Sequence, residues 1–187
     1  MVTSRVSFWP LGSRPEVEDY PPALLPFLQR SVWPSTLAAA LVAVEQSGQP
    51  IFVKPRTVRK RFTGMVLSGP HQWPLSQVSG RTKVWCSDVV RFQSEARAFV
   101  RGPELVEIRH YWGDPALAPD ETAVVSMIQS LAGDAPAGYA LDVGVLDDGS
   151  TALIEMTDGF SLDRYGLDAA AYLGVVSVRW RELIGAT

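Results

Sequence analysis

The dipeptide Asp148-Gly149 lies between two segments, residues 139–146 and 151–157, in which apolar side chains recur with the period of a β-strand. Asp-Gly is a preferred pair for the two-residue turn of a β-hairpin. A turn at this position pairs Asp147 with Ser150, and it predicts an antiparallel hairpin near the C-terminus. A hairpin argues against a regular series of βαβ units as the whole fold.

The same register places Asp142 directly opposite Glu155, on one face of the hairpin. Directly opposed residues have Cβ atoms roughly 4.5–5.5 Å apart, and like charges there destabilise a sheet. A magnesium or manganese ion bound by both carboxylates would relieve the repulsion. The alternatives are a carboxylate neutralised by an arginine, or two carboxylates turned into water. The other face is predicted to be the core side, lined by Leu141, Val143, Val145, Ala152, Ile154 and Met156.

Helix and strand signals alternate irregularly along the rest of the chain, which is typical of an α+β fold. The first 35 or so residues are expected to be irregular, with a short helix at 22–29. Longer helices are predicted at 36–47 (capped by Ser35 and closed by Gly48), at 120–131 (capped by Asp120 and ended by Gly133), and from Asp168 to about residue 183. Strands are also predicted at 51–55, 62–67, 84–87, 92–100 and 105–111.

Charge is distributed unevenly along the sequence. Residues 51–110 hold eleven basic and four acidic side chains, whereas residues 111–187 hold three basic and twelve acidic ones. A ligand that carries both negative charge and a divalent cation, such as a metal–nucleotide, would suit a boundary between the two regions. The simpler alternative is two solvated surfaces of opposite sign.

Composition narrows the classes of protein and of site. The chain has 187 residues, 47% of them hydrophobic, and a net charge of −3, so a general nucleic-acid-binding or anionic-membrane surface is not indicated. The single cysteine, Cys86, excludes an internal disulfide, and with only two histidines a zinc site of Cys or His ligands is excluded. Neither a membrane span nor a signal peptide is recognisable, so the expected compartment is the cytoplasm.

Five segments, in this order, are similar to motifs of the ATP-grasp superfamily, and more closely to a clade of small stand-alone ATP-grasp proteins regarded as peptide or amino-acid ligases. The match extends over about residues 50–170. The segments are Phe52-Val53-Lys54-Pro55, Lys60-Arg61-Phe62-Thr63-Gly64, Trp85-Cys86-Ser87-Asp88-Val89-Val90, Glu95-Ala96-Arg97-Ala98-Phe99-Val100, and the hairpin Asp142-Val143-Gly144 with Ile154-Glu155-Met156-Thr157-Asp158-Gly159, followed by Tyr165-Gly166.

This resemblance implies a role for each matching position. Lys54 would contact the phosphates of ATP, with Lys60 or Arg61 covering them from a loop. Backbone groups of Ser87, Asp88 and Val89 would hold the adenine, leaving Asp88 or Glu95 near the ribose. Arg97 would stabilise charge on the transferred phosphoryl group or the acyl phosphate. Asp142, Glu155 and Thr157 would bind Mg²⁺.

The implied architecture is two α+β subdomains whose antiparallel sheets clamp the nucleotide. Residues 1–48 would form an irregular and helical lobe packed on an ATP-grasp-like domain, residues 49–187, divided into a small lobe at about 49–87 and a large lobe at about 88–187. The implied activity is an ATP- and Mg-dependent carboxylate–amine ligase that forms an amide or peptide bond through an acyl phosphate. The expected partners are small-molecule or peptide carboxylates and amines, and a homo-oligomer is compatible with the sequence.

Two positions depart from the pattern of the clade. Thr157 replaces the asparagine usual at the third metal position, with Asp158 as a substitute only if the strand bulges, and Asp163 replaces a glycine before Tyr165-Gly166. A second hypothesis is therefore a nucleotide-binding module without turnover that acts within a complex. A third is a nucleic-acid-associated protein that uses the basic segment Arg56–Arg61, against which the net charge argues.

Overall fold

The computed structural model describes residues 18–56, 62–69 and 77–185. The chain divides into two compact units, one formed by residues 28–91 and the other by residues 92–187 together with residues 1–27. We call them the small unit and the large unit. None of the helices in the described ranges has the length and apolar character that a membrane crossing requires.

The small unit is a four-stranded antiparallel sheet with one helix packed on it. Its strands run in the order β1-β4-β2-β3. The helix packs Leu37, Ala40 and Val44 against buried strand residues such as Val53 and Val84, which makes a core of its own. The elements are β1 (Val32–Thr36), α1 (Leu37–Ser47), β2 (Ile51–Pro55), β3 (Met65–Leu67) and β4 (Lys83–Ser87).

Strand β1 is the element of the small unit that the sequence did not predict. It pairs antiparallel with β4 at the edge of the sheet, where Pro34 removes no hydrogen bond from a central strand. The helix cap is Thr36 rather than Ser35, and the Thr36 side chain accepts a hydrogen bond from the Ala39 amide at 3.3 Å. Gly48 ends the helix in a left-handed conformation (φ 67°), as predicted. Because β1 belongs to this sheet and α1 packs on it, residues 28–48 lie in the same unit as residues 49–91.

The large unit contains a second four-stranded antiparallel sheet, in the order β6-β5-β7-β8. The elements are a 3₁₀ helix (Pro22–Phe27), β5 (Phe92–Arg101), β6 (Glu104–Gly113), α2 (Glu121–Ser130), β7 (Gly138–Leu146), β8 (Thr151–Asp158) and α3 (Ala169–Ile184). Asp120 and Asp168 cap α2 and α3 as predicted. Helix α2 ends at Leu131 in a right-handed conformation, so Gly133 is not its cap.

Helix α3 packs on β7 and β5 around the buried residues Phe99, Ala140 and Val175. Gly138 permits this close approach, because a Cβ atom at that position would collide with the main-chain carbonyl of Val175. The 3₁₀ helix packs against α2 and β8. These contacts fix the sheet from which the candidate site is built.

The hairpin of β7 and β8 differs from the prediction in two ways that cancel. The Leu146 amide donates to the Ser150 carbonyl at 2.9 Å, so the turn has three residues, with Gly149 in the left-handed conformation (φ 81°). This turn pairs Val143 with Leu153, one residue off the predicted register. A bulge at Ile154 then restores the predicted pair of Asp142 and Glu155.

The core face of β8 is therefore partly different from the predicted one. Leu153 pairs with Val143 and is fully buried, whereas Ala152 pairs with Gly144, on the face that carries Asp142. Ile154 is the bulged residue and is only half-buried. The predictions for Ala152 and Ile154 were wrong because the turn is one residue longer than Asp-Gly alone suggests.

Candidate active site

Four charged residues form one row across the sheet of the large unit. Arg109 of β6 lies opposite Arg97 of β5, Arg97 opposite Asp142 of β7, and Asp142 opposite Glu155 of β8. Paired residues of neighbouring strands point to the same face of a sheet. The sheet therefore brings Arg97 next to Asp142 and Glu155, although the sequence placed Arg97 in a different motif from the two acids.

Arg97 and Asp142 form a buried, bidentate ion pair. The Arg97 Nε atom donates to Asp142 Oδ1 and Nη2 donates to Oδ2, both at 2.7 Å. The side chains are only 7% and 5% exposed. Of the alternatives for the acidic pair, neutralisation of a carboxylate by an arginine is thus realised at Asp142.

Burial imposes a desolvation cost on the charged forms of both side chains. Burial raises the pKa of Asp142, and the negative charges of Glu155 and Glu95 add to this, although the hydrogen bonds and the charge of Arg97 lower it. Desolvation lowers the pKa of Arg97, but the hydrogen bonds and charge of Asp142 outweigh it and raise the value. A further cation near Asp142 would stabilise the ionised carboxylate.

Glu95 is a third carboxylate on this face. It is half-buried two residues before Arg97 on β5, and a bulge in β6 brings Tyr111 into hydrogen-bonding contact with it. Burial raises the pKa of Glu95, with the hydrogen bond from Tyr111 lowering it and the charge of Glu155 raising it again. Burial and the charges of Asp142 and Glu95 also raise the pKa of Tyr111, which keeps its hydroxyl protonated.

Thr157 fits the position of a third oxygen ligand better than Asp158 does. It pairs with Ala140, so it shares the face of Asp142 and Glu155. Its Oγ1 atom is buried and has no hydrogen-bond partner among the described residues. A buried hydroxyl without a partner is costly, and a bound cation would satisfy it.

Asp158 lies on the opposite face of the sheet and forms an ion pair with Arg179. It pairs with Tyr139, on the opposite face, and its carboxylate accepts hydrogen bonds from Arg179 Nε at 2.9 Å and Nη2 at 2.6 Å. It also accepts from the Phe160 amide at 3.0 Å. The strand does bulge, as a role for Asp158 would require, but it does so before Glu155, so Asp158 stays on the wrong face.

In the described part of the chain, no three His, Cys, Asp or Glu side chains converge on one metal position. The oxygen set on this face is two carboxylates and a hydroxyl, from Asp142, Glu155 and Thr157. Hard oxygen donors of this kind suit Mg²⁺, which usually takes one or two protein carboxylates and completes its shell with water and phosphate oxygens. The residues therefore fit a magnesium ion.

The sequence analysis did not identify the aromatic side chain that covers the Arg97 guanidinium, which is Tyr165. The Tyr165 ring lies 4.7 Å from the Arg97 guanidinium carbon and stacks on the Tyr111 ring, with centroids 4.6 Å apart and planes at 21°. The Asp163 carbonyl accepts a hydrogen bond from Arg97 Nη1 at 3.3 Å. A signal was present in the pair Tyr165-Gly166, which the resemblance included without assigning it a role.

The predicted nucleotide-contacting residues of the small unit that the structure describes lie on its two central strands or directly after one of them. Lys54 is half-buried on β2 and pairs with Trp85 of β4. Ser87 is buried at the end of β4, and its hydroxyl donates to the Asp88 carbonyl at 3.0 Å. The Asp88 carboxylate accepts a hydrogen bond from the Ser31 amide at 2.9 Å, and Val89 is 43% exposed. Lys60 and Arg61 lie outside the described residues, as does Arg59.

The fold and this acidic face define a class of protein. The model of a family described as an ATP-grasp domain, the second family of its clade, matches residues 27–175, more than half of the chain. The chain belongs to the ATP-grasp family. The sequence resemblance at the level of the superfamily is thus confirmed, and with it the α+β fold with two antiparallel sheets.

Solved structures of ATP-grasp proteins share the fold. A RimK domain protein from Sphaerobacter thermophilus is 18% identical, with a TM-score of 0.53 over 80% of this chain and 60% of that one. D-alanine–D-alanine ligase from Bacillus anthracis is 13% identical, with a TM-score of 0.53 over 86% and 63%. The macrocyclase MdnC from Microcystis aeruginosa, bound with its precursor peptide MdnA, is 12% identical, with a TM-score of 0.55 over 85% and 56%.

At these identities the likeness concerns the fold, not the substrates. The chain spans less than two thirds of the length of each of these three proteins. No curated protein matches the sequence.

Proposed function

We propose that the protein is an ATP- and Mg-dependent carboxylate–amine ligase that forms an amide or peptide bond through an acyl phosphate. The observation that carries the proposal is the row of Arg97, Asp142 and Glu155 on one face of the sheet. Beside it lies the Thr157 hydroxyl, which has no hydrogen-bond partner within the described ranges. Family membership supports a ligase in general, because the ATP-grasp neighbours include ligases.

Asp142, Glu155 and Thr157 would hold the magnesium ion. When bound, the ion would neutralise phosphate charge and orient the phosphoryl group for transfer. Asp142 would keep its contact with Arg97 while it binds the ion, because a carboxylate has about four acceptor positions and the guanidinium uses two of them. Burial of the site would strengthen these electrostatic interactions.

The remaining positions would bind the nucleotide. Lys54 would contact phosphates, Lys60 or Arg61 would cover them, and main-chain groups of residues 87–89 would bind the adenine. Asp88 or Glu95 would lie near the ribose, and each carboxylate already accepts one hydrogen bond, from the Ser31 amide and from Tyr111 respectively. Arg97 would stabilise charge as a carboxylate oxygen attacks the γ-phosphorus and ADP leaves. The amine would then attack the acyl carbon and phosphate would leave.

A nucleotide-binding protein without turnover is the second candidate. It is favoured by Thr157 in the place of the asparagine usual at the third metal position. This difference concerns the metal site and removes no residue that is assigned to the phosphates. The two candidates therefore share nucleotide binding and differ in ADP release.

Thermal unfolding with and without nucleotide tests nucleotide binding, which both candidates share. ATP with Mg²⁺ should raise Tm, by an amount equivalent to about 2.7 kcal/mol when the ligand is at 100 times its Kd. ATP with EDTA should raise Tm much less. An equal Tm in all conditions would remove both candidates.

Release of ADP separates the two. We expect release that depends on an added carboxylate and amine, screened among amino acids and small peptides. A protein that binds Mg·ATP but releases no ADP with any pair would support the second candidate.

Two variants with matched controls test the residues. Lys54→Ala should weaken ATP binding at least about tenfold, because a charged phosphate contact is lost. Glu155→Gln should abolish the Mg²⁺ dependence of ATP binding while the fold survives. The controls are Lys83→Ala and Glu121→Gln, which change exposed residues outside the proposed site. Unchanged ATP affinity in both site variants would contradict the proposed site.

A further inference from the structure

Tyr165 has an unusual backbone conformation for a bulky residue. Its φ angle is 44°, in the left-handed region, and the following Gly166 has a φ of 80°. A non-glycine side chain in this region is strained, and such strain persists only where the surroundings impose it. Strained residues of this kind cluster at functional sites.

The segment around Tyr165 is anchored at both ends. Leu162 and Leu167 are buried in the core with Val175, and the Tyr172 hydroxyl donates to the Leu162 carbonyl at 2.9 Å. Between these anchors, residues 163–166 are exposed. We call residues 163–166 the Tyr165 loop.

The Tyr165 loop and Asp142 hold the Arg97 guanidinium from three directions. Asp142 binds the edge formed by Nε and Nη2, the Asp163 carbonyl binds Nη1, and the Tyr165 ring covers one face at 4.7 Å. The Tyr111 ring stacks on the Tyr165 ring. These hydrogen bonds use three of the five N–H donors of a guanidinium, and two remain for an anionic ligand.

We propose that Tyr165 is a positioning residue, which holds the Arg97 guanidinium by a cation–π contact so that its two remaining N–H groups face the transferred phosphoryl group. The proposal rests on the proposed function, in which Arg97 stabilises the charge of that group. Loss of the ring leaves Arg97 with the in-plane bonds from Asp142 and Asp163, so the guanidinium can tilt out of its plane. The expected defect is specific to the γ-phosphate, because Arg97 is assigned to the transferred phosphoryl group. ADP lacks this group and would keep the phosphate contacts assigned to Lys54 and to Lys60 or Arg61.

Two variants separate the effect of the Tyr165 ring from the effect of the backbone conformation at this position. Tyr165→Asn removes the ring, and asparagine is among the non-glycine residues that best tolerate the left-handed region, so the loop conformation should be kept. Tyr165→Phe keeps the ring and is the conservative control. Circular dichroism and Tm of both variants should be close to those of the wild type.

The first measurement reports Arg97 directly and needs no nucleotide. In ¹⁵N NMR spectra the Arg97 Nε–H signal is assigned by its disappearance in Arg97→Lys. The ring current of Tyr165 should displace this signal, and Tyr165→Asn should abolish the displacement while Tyr165→Phe keeps it. An Arg97 signal at the same position in wild type and Tyr165→Asn overturns the proposal.

The second measurement is the ratio of the affinities for Mg·ATP and Mg·ADP by calorimetry. Tyr165→Asn should weaken ATP binding about tenfold, the size of a desolvated cation–π contact, and leave ADP binding within about twofold. Tyr165→Phe should keep both affinities. A merely structural role would lower both affinities together, which contradicts the proposal.

The outcomes also distinguish this inference from the proposed function. If the wild type binds Mg·ATP and Tyr165→Asn keeps the ATP-to-ADP ratio, only the inference on Tyr165 is wrong. If the wild type does not bind Mg·ATP, the proposed function is wrong, and a role of Tyr165 towards a phosphoryl group is wrong with it.

Discussion

At the scale of the residue, Asp142 connects stability to function. Its carboxylate forms a buried bidentate ion pair with Arg97, and Asp142 is also one of the residues to which we assign the magnesium ion. A buried charge that loses its partner is far more costly than a pair replaced as a whole. Loss of one partner alone should therefore destabilise the fold as well as disturb the proposed site, whereas the fold should tolerate replacement of the whole pair.

Removal of Arg97 alone should be more destabilising than replacement of both Arg97 and Asp142. We expect Arg97→Met to lower the free energy of unfolding by about 3–5 kcal/mol, because Asp142 stays buried without its partner. The double variant Arg97→Met, Asp142→Leu should recover most of the loss, to within about 2 kcal/mol of the wild type. Urea denaturation of the wild type, of Arg97→Met and of the double variant measures these free energies of unfolding. A double variant no more stable than Arg97→Met would contradict this account.

Glu95 should make stability depend on pH. Because burial raises its pKa in the folded protein, the folded state binds the proton more tightly than the unfolded chain does. Its contribution to stability is present below the unfolded pKa of about 4.3 and is lost as the pH rises through the folded value. The stability of Glu95→Gln relative to the wild type should thus increase between pH 4 and pH 7, measured by urea denaturation. A constant difference would show that Glu95 titrates alike in both states.

At the scale of the element, the sequence predicted most helices and strands because their boundaries carry local signals. Asp120 and Asp168 accept hydrogen bonds from main-chain amides at the start of α2 and α3, and Gly48 ends α1. Strand β1 carries the opposite signals, a central proline and polar neighbours, and it exists because β4 provides a partner distant in sequence. Pairing with a remote segment leaves no mark in the local pattern.

The acidic pair was predicted correctly although the turn was not. The Asp-Gly signal indicates a hairpin, but it does not distinguish a two-residue loop from a three-residue loop ending in a left-handed glycine. The bulge at Ile154 has no sequence signal that we recognise. The cover of Arg97 by Tyr165 depends on a strained loop, and this too could not be read from periodicity.

Gly138, which lies under α3, should be sensitive to the addition of a single methyl group. We expect Gly138→Ala to lower the free energy of unfolding by about 3 kcal/mol, because the new Cβ meets the main-chain carbonyl of Val175, which cannot rotate away. Gly174→Ala, within α3, should be neutral or stabilising, since its neighbour is the flexible tip of Arg101 and alanine favours the helix. Urea denaturation compares the two. Equal effects would show that α3 shifts easily on the sheet.

At the scale of the whole molecule, the charge asymmetry of the sequence follows the division into units. The small unit has nine basic and two acidic residues, and the large unit has eight basic and eighteen acidic ones. That Lys54 of one unit and Arg97 of the other contact the same nucleotide stays a prediction, because it depends on the arrangement of the two units.

This asymmetry predicts a dependence on salt. The affinity for Mg·ATP should fall about three- to tenfold between 50 and 500 mM KCl, because the basic small unit attracts the polyanion and salt screens the attraction. Calorimetry at the two concentrations measures it, with Tm as the control for the integrity of the fold. Tight, salt-dependent binding to DNA or RNA that ATP does not affect would favour the nucleic-acid hypothesis instead.

The longer turn and the bulge of the β7–β8 hairpin depend on each other. With this turn and no bulge, Ile154 would lie opposite Asp142, and the Glu155 carboxylate would point to the far side of the sheet. Removal of Ile154 itself would instead straighten the strand and leave the two acids face to face. During evolution, or in the laboratory, an insertion or deletion of one residue in this hairpin is therefore tolerated or disruptive according to its position. Whether the number of residues between two acids is odd or even does not decide whether their side chains meet.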